Sequence, residues 1–191
     1  MARPVTHDAA LRQQLLDATA ELVAERGPSQ VTLRELASAA GTSTTAIYAL
    51  FGGKAQLLRA VVDHGFASFG AAQHAAAAGG LKKLGRAYRE WALEHQALYR
   101  LMFGGLLSLQ SECEGGSPSS DITQLPLLNA IRQGQGAGIL LPAPAEEVAA
   151  IIWAQVHGMV SLEMARLDAP DTDWNTRYET ALDSIERAWA V

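Results

Sequence analysis

VTLRELASAAGTSTTAIYALFGGK, residues Val31–Lys54, decides the fold of this chain of 191 residues. The stretch contains two short helical patterns separated by a glycine, which is typical of a helix-turn-helix. The first helix begins with a capping box: the Thr32 hydroxyl can accept a hydrogen bond from the Glu35 amide, and the Glu35 carboxylate can accept one from the Thr32 amide. Val31 and Leu36 are spaced for the hydrophobic staple around such a box. These signals predict where the first helix of the pair begins.

Small and apolar residues at fixed spacing support the turn between the two helices. Ala37 is small enough to let the helices approach closely, and Gly41 can adopt the left-handed backbone conformation that a tight turn requires. Ile47 is placed to fill the angle between the helices, and Ser43 can cap the second one. The spacing therefore predicts a rigid pair of helices.

The second helix of this pair has the dimensions of a recognition helix. About seven residues make a helix of roughly 10 Å, which fits a major groove about 12 Å wide. Hydroxyl groups can bond to phosphates or base edges, and threonine methyls can contact thymine methyls. Because this helix has no arginine to bind guanine, we expect modest direct readout and a large dependence on dimer spacing and DNA shape. The predicted DNA-binding residues are Thr32, Ser43, Thr44, Thr45, Tyr48 and Lys54.

Helical periodicity continues along the rest of the chain. A loop rich in Gly, Ser and Pro is predicted over 106–120, and Pro126 must lie in the first turns of its helix or kink it. A bend is predicted near His95. The predicted helices are His7–Arg26, Lys54–Ala76, 81–105 with that bend, 121–135, Pro144–Leu167 and Asp173–Ala190.

The last two predicted helices are apolar enough to form an interface. The helix over Pro144–Leu167 has apolar residues on two faces, so it must be covered from two sides. The final helix repeats Trp174, Tyr178, Leu182 and Ile185 at helical spacing. Two such helices from each of two subunits would make a four-helix dimer interface.

Composition and charge restrict the class of protein. The single cysteine, Cys113, favours a reducing compartment. No window approaches the roughly 20 apolar residues that a membrane span needs, so we predict a cytoplasmic protein without membrane contact. The net charge is -5, but residues 1–60 hold six basic and five acidic side chains, which gives +1, and the remainder gives -6. A near-neutral head on an acidic body is compatible with DNA binding.

Thr32–Val62 resembles the N-terminal domain of the TetR family of transcriptional regulators, through the residues described above and the following Ile47-Tyr48-Ala49-Leu50-Phe51 and Leu57-Leu58. Thr42 and Leu50 depart from the residues that are frequent in the family. Independently, the segment Trp153–Glu163, with Trp153, His157 and Gly158, resembles the Trp-His-Gly C-terminal domain of one branch of that family.

The resemblance implies an all-α fold of about nine helices. Residues 1–53 form a three-helix DNA-binding domain, and a long helix joins it to a ligand-binding and dimerisation domain, 54–191. It implies a homodimeric repressor that a small apolar or aromatic effector releases from a palindromic operator in double-stranded DNA, without cofactor or metal. An apolar cavity with one titratable group is expected in the body. Its candidate lining residues are Trp91, Tyr99, Met102, Phe103, Leu127, Ile131, Trp153 and His157.

Other interpretations of the sequence stay open. The Ser and Thr hydroxyls can simply cap and solvate a surface helix, and the apolar candidates can simply fill the core. The histidines lack metal-ligand spacing, no nucleophile has a base near it in sequence, and no phosphate-binding loop follows a strand, so an enzyme is disfavoured. A helical ligand-binding or scaffold protein that does not bind DNA is the remaining alternative, because the recognition helix is poor in basic residues.

Overall fold

The structure, a computed structural model, describes residues 5–103, 118–166 and 169–191, and within these ranges it contains helices and no β-strand. The α-helices are α1 (Val5–Arg26), α2 (Leu33–Ala39), α3 (Thr44–Phe51), α4 (Lys54–Ala76), α5 (Gly80–Glu94), α6 (Gln96–Phe103), α7 (Pro118–Gly136), α8 (Ala145–Ala165) and α9 (Trp174–Trp189). The predicted all-α fold is therefore confirmed.

The predicted start and stop signals set the ends of the helix-turn-helix. The Glu35 amide donates to Thr32 Oγ1 at 3.3 Å, and the Thr32 amide donates to Glu35 Oε2 at 2.8 Å, so the capping box is present. Ser43 caps α3 by accepting from the Ala46 amide at 3.3 Å. Gly41 has the left-handed φ of 61° that the turn requires. These local signals are read correctly from sequence because each involves residues only a few positions apart.

The predicted loop over 106–120 is wrong at its end. Helix α7 already begins at Pro118, because proline is tolerated in the first turn of a helix, where no amide donor is needed. As a result Pro126 lies inside α7 rather than in its first turns. The part of the predicted loop over 106–117 lies outside the described residues.

Helix α8 corrects the expectation about apolar windows. It is 21 residues long and contains an 18-residue window with a mean hydropathy of 1.3, so by length and composition alone it could cross a membrane. In the fold it is a packed helix: Val148, Ile152, Val156 and Val160 are all buried. Helix α8 is apolar on more than the face that it buries.

The chain divides into two compact units. The first, Met1–Ala67 with His95–Ser117, contains α1 to α3, the first part of α4, and α6; the second, Ser68–Glu94 with Pro118–Val191, contains the remainder. We call them the head unit and the body unit. They differ from the predicted domains 1–53 and 54–191, because α6 packs against α1 and because α4 is close to α6, with Met102 Sδ 2.7 Å from where a Cβ on Gly65 would lie.

In the head unit the core lies between α1, α2, α3 and the first part of α4. Leu16, Leu36, Ile47 and Leu57 are each at most 1% exposed. The guanidinium of Arg12 lies 5.2 Å from the centre of the Phe51 ring, a cation–π contact that links α1 to the end of α3. The recognition helix is therefore held from behind by aliphatic packing and by one cationic contact.

In the body unit, α5 and α9 are in close contact. The Tyr178 hydroxyl donates to the Gly85 carbonyl at 2.7 Å, and both residues are buried. A Cβ on Gly85 would overlap Leu182 Cδ2. Arg86 makes two 2.7 Å hydrogen bonds to Glu179. A side chain at position 85 therefore fits only if the buried Leu182 side chain shifts.

Gly85→Ala is expected to destabilise the protein by about 1–3 kcal/mol, the usual cost of inserting a methyl into a packed core. Gly70→Ala is the matched control. It lies in the same unit and also in a helix, and its new Cβ would meet Thr123 at an ordinary 3.7 Å, so it should be neutral or stabilising by up to about 1 kcal/mol. Urea unfolding followed by circular dichroism measures both. Equal stability of the two variants would contradict the packing argument.

Candidate nucleic-acid interface and body pocket

One face of α3 is exposed and carries the predicted recognition groups. Tyr48 is 57% exposed, and Thr45 and Ala49 on the same face are exposed too. Ile47 on the opposite face is fully buried. The four-residue spacing from Thr45 to Ala49 and the three-residue spacing from Thr45 to Tyr48 give a continuous surface on this helix.

Three of the four remaining candidates, Ser43, Thr44 and Lys54, lie at or beside the ends of α3. Thr44 and Lys54 are half-buried, Lys54 being the first residue of α4. Ser43 is exposed, and its oxygen accepts from the Ala46 amide, which leaves its O–H free to donate outward. Ser43 and Lys54 therefore keep donors that can reach a phosphate.

Thr32 is engaged more fully than the sequence suggested. Its hydroxyl donates to Glu35 Oε2 at 2.7 Å as well as accepting from the Glu35 amide. These hydrogen bonds, helped by Arg26 at 3.1 Å, hold the pKa of the Glu35 carboxyl below its usual range. A bond from Thr32 Oγ1 to a phosphate would have to replace the bond to Glu35, and the DNA-binding role of Thr32 stays a prediction.

Arg34 is a candidate that sequence reasoning missed. It is exposed in the first turn of α2, and within the described ranges it makes no ion pair. Glu35, its neighbour, is already bonded to Arg26. The signal that could have found it is this competition: once the capping box and Arg26 occupy Glu35, Arg34 is the cation of α2 left for an outside anion.

The body unit contains a small pocket with an apolar lining. Its cavity volume is about 40 Å³. The residues that line it come from five helices and are Gln73, Leu81, Lys82, Leu84, Gly85, Tyr88, Leu127, Ile152, Trp153, Val156, Leu182 and Ile185. Gln73 is 5% exposed and its amide nitrogen makes a long, 3.5 Å bond to the Leu84 carbonyl, so it supplies a buried amide group to a mainly apolar wall.

Two of the eight predicted ligand-binding residues, Leu127 and Trp153, line this pocket. The other six do not. Trp91 and Ile131 are buried within the body unit, where the Trp91 indole donates to Ser68 Oγ at 3.0 Å. Three belong to α6 in the head unit, where the rings of Tyr99 and Phe103 lie 5.0 Å apart and Met102 is buried. Their role in ligand binding stays a prediction.

Most of the pocket residues were missed, although their periodicity was visible. Leu81, Leu84 and Tyr88 form one apolar stripe of α5, and Leu182 with Ile185 forms another on α9. The α9 stripe was predicted to form a dimer interface, whereas Tyr178, Leu182 and Ile185 are buried within the subunit. The sequence did not show that these two stripes line the same cavity, because this depends on how α5 and α9 pack.

His157, the predicted titratable group, is bonded to the core. Its Nδ1 lies 2.9 Å from the Tyr88 hydroxyl, and its ring centre is 5.5 Å from that of Trp153. It is half-buried, and this burial lowers the pKa of the imidazole below its ordinary value. The neutral imidazole is therefore favoured in the folded state. Among the described residues no three His, Cys, Asp or Glu side chains are grouped to hold a metal ion.

Replacement of His157 should flatten part of the pH dependence of stability. Below the ordinary pKa of about 6.5 the unfolded chain takes up a proton that the folded chain resists, so the free energy of unfolding decreases as the pH is lowered. His157→Gln should lose this decline, since glutamine does not titrate. Urea titrations at several pH values between 7 and 5 measure it. Identical slopes for parent and variant would contradict the assignment.

Comparisons with known proteins agree with the geometry. Residues 15–61 match the family model for bacterial regulatory proteins of the tetR family, and residues 81–185, more than half of the chain, match the tetracyclin repressor-like C-terminal domain. The second match includes the Trp153–Glu163 segment. No curated protein matches the chain.

Three solved structures illustrate the shared fold. A protein of unknown function from Rhodococcus sp. RHA1 is 25% identical, with a TM-score of 0.75 and coverage of 95% of this chain and 96% of that one. A TetR family transcription regulator from Marinobacter aquaeolei VT8 is 22% identical, with a TM-score of 0.78 and coverage of 97% and 98%. The TetR family regulator PfmR from Thermus thermophilus is 20% identical, with a TM-score of 0.71 and coverage of 91% and 97%. From its two family matches, the chain belongs to the TetR family and is a DNA-binding transcriptional regulator.

Proposed function

We propose that this regulator is a homodimeric repressor whose two α3 helices bind a palindromic operator, and that a small apolar or aromatic effector releases it. The observation that carries the DNA half of the proposal is the exposed face of α3, with Thr45, Tyr48 and Ala49 held outward by the buried Ile47. Such a regulator acts where the DNA is, in the cytoplasm.

Phosphate contacts come from groups around α3. Tyr48, Ser43 and Lys54 have donors available. Arg34 on α2 is a second cation beside Lys54. Contacts of this kind fix the register of the helix on the duplex and make affinity depend on salt. In functional terms the DNA-binding domain is residues 1–53, and 54–191 form the domain for effector and partner.

The dimer half of the proposal rests on α8. Beside its buried face it exposes Ile151 to 52%, Leu162 to 47% and Trp153 to 37%. Large apolar side chains grouped on one helix of a water-exposed surface favour a protein contact. On α9, Tyr178, Leu182 and Ile185 are buried within the subunit, so α8 supplies most of the apolar surface that we assign to the dimer.

The small size of the pocket suggests how an effector would release the protein from DNA. Its volume of about 40 Å³ is far below the roughly 300–1,000 Å³ of typical ligand pockets. An effector that binds there must displace side chains or helices, and therefore binds an expanded conformation better than the compact one. That difference in affinity is what a ligand needs in order to shift a conformational equilibrium. The apolar lining favours an apolar or aromatic effector, with Gln73 offering one polar contact.

Lys54→Ala should weaken binding to the DNA upstream of the protein's own gene, measured by fluorescence anisotropy across a salt series. Loss of one phosphate contact per subunit should lower the slope of log K against log salt by about 2 in a dimer. Lys83→Ala, the same charge change on an exposed residue of the body unit, is the control and should leave the slope unchanged. Unaltered binding by Lys54→Ala would remove this residue from the interface. Absence of DNA binding by the parent protein would favour the helical ligand-binding or scaffold alternative.

Leu162→Glu should convert the dimer to a monomer, because a charge in an apolar interface must be desolvated without a partner. Light scattering after size-exclusion chromatography should give about twice 20.3 kDa for the parent and 20.3 kDa for the variant. Leu125→Glu is the control: Leu125 is a similarly exposed leucine, at 43%, on α7. A parent that runs as a monomer, or equal masses for the two variants, would refute the α8 interface.

A further inference from the structure

The exposed face of α3 offers methyl groups rather than long polar side chains. None of the eight residues Thr44–Phe51 is Arg, Lys, Asn or Gln, the side chains that make paired hydrogen bonds to guanine or adenine. The groups that point outward are the methyl and hydroxyl of Thr45, the methyl of Ala49 and the phenol of Tyr48. What this helix can recognise in a groove is therefore mainly an apolar base group.

Arg12, Arg26, Arg34 and Lys54 all lie outside α3, so α3 itself carries no cation for base contacts. Arg12 lies against the Phe51 ring, and Arg26 is bonded to Glu35. Arg34 and Lys54 lie at the beginnings of α2 and α4, the helices before and after α3. Their long side chains suit phosphates on either side of the groove that α3 enters.

We propose that α3 reads thymine: the thymine C5-methyl groups of each half-site pack against Thr45 Cγ2 and Ala49 Cβ in the major groove. This inference rests on the proposed function and names the base that the interface selects. Thymine is the one DNA base with a methyl group in the major groove, so an apolar contact distinguishes it from cytosine. Tyr48 binds the phosphate backbone, which keeps α3 deep enough for side chains as short as threonine and alanine to reach the bases.

Because threonine and alanine are short side chains, α3 must lie deep in the major groove to contact the bases. Alanine extends only to Cβ, so its contact with a base methyl requires the backbone of α3 to lie close to the groove floor. The four-residue spacing of Thr45 and Ala49 places their methyls about one helical turn, roughly 6 Å, apart. The two methyls can therefore contact neighbouring or next-neighbouring base pairs, and the operator half-site should contain A·T pairs at both.

The test removes single methyl groups from the DNA. The operator is first isolated by selecting bound sequences from a random DNA pool with the full-length protein. Each thymine of one half-site, and its symmetry mate, is then replaced by deoxyuridine, which lacks only the C5-methyl. With about 0.8 kcal/mol per buried methyl group, each replacement at a contacted position should weaken binding about fourfold per half-site, or roughly fifteenfold for the symmetric pair.

Matched protein variants assign the contacts. Thr45→Ser removes the methyl and keeps the hydroxyl, and Ala49→Gly removes the other methyl. Each variant should bind the parent operator more weakly and lose its sensitivity to deoxyuridine at one position, as a double-mutant cycle requires. Ala71→Gly, at an exposed alanine of α4 in the body unit, carries the same helix cost and should retain the parent pattern.

The outcomes separate this inference from the proposed function. Specific binding that no deoxyuridine replacement weakens, or that 7-deazaguanine weakens instead, overturns thymine reading and leaves the DNA-binding regulator intact. Deoxyuridine effects that persist fully in both Thr45→Ser and Ala49→Gly overturn the assignment to α3. A parent protein that selects no sequence from the pool at low salt overturns the proposed function, and thymine reading with it.

Discussion

The body unit depends on the contact of α5 with α9 at Gly85. The Tyr178 hydroxyl bonds to the carbonyl of that glycine, and Leu182 occupies the space that a side chain there would need. Two ion pairs also join α5 to α9: Arg86 pairs with Glu179, and Lys82 pairs with Asp183. Exposed ion pairs contribute little stability, so the close packing, and not the charges, determines the separation of the two helices.

The partly buried Arg89 connects the contact of α5 and α9 to a third helix, α8. It makes two 2.7 Å bonds to Glu163 on α8 and one of 2.8 Å to Asn175 on α9. Its guanidinium also lies 5.2 Å from the centre of the Tyr178 ring. One side chain therefore holds α5, α8 and α9 together, and these three helices supply most of the pocket wall. A change in the pocket that moves any of them must act against this cluster.

The parts of the fold that sequence predicted are those set by near neighbours. The Thr32 capping box, the Ser43 cap and the Gly41 turn each involve residues a few positions apart, and each is present. The start of α7 was missed because Pro118 is compatible with both a loop and a first helical turn. The apolar character of α8 was missed because the sequence was searched for uninterrupted apolar residues, whereas an 18-residue window that includes polar residues still reaches a mean hydropathy of 1.3.

The candidate site was predicted unevenly for the same reason. The exposed face of α3 follows from helical periodicity, whereas the pocket collects residues from five helices and needs their packing to be known. Aromatic residues at helical spacing were assigned together to one cavity, yet Tyr99 and Phe103 pack on each other in the head unit. Arg34 was recognised as a candidate only when the partners of Glu35 were known, because the ion pair of Arg26 with Glu35 leaves Arg34 able to bind an external anion.

Trp153 belongs to two of the sites that we propose, the effector pocket and the dimer surface. It lines the pocket and is also 37% exposed on α8, the helix that we assign to the dimer. A side chain shared by two binding events couples them thermodynamically, and the coupling acts equally in both directions. If Trp153 serves both the dimer and the effector that we propose, effector affinity will depend on protein concentration, and a cell that makes more of the regulator will change the effector level to which it responds.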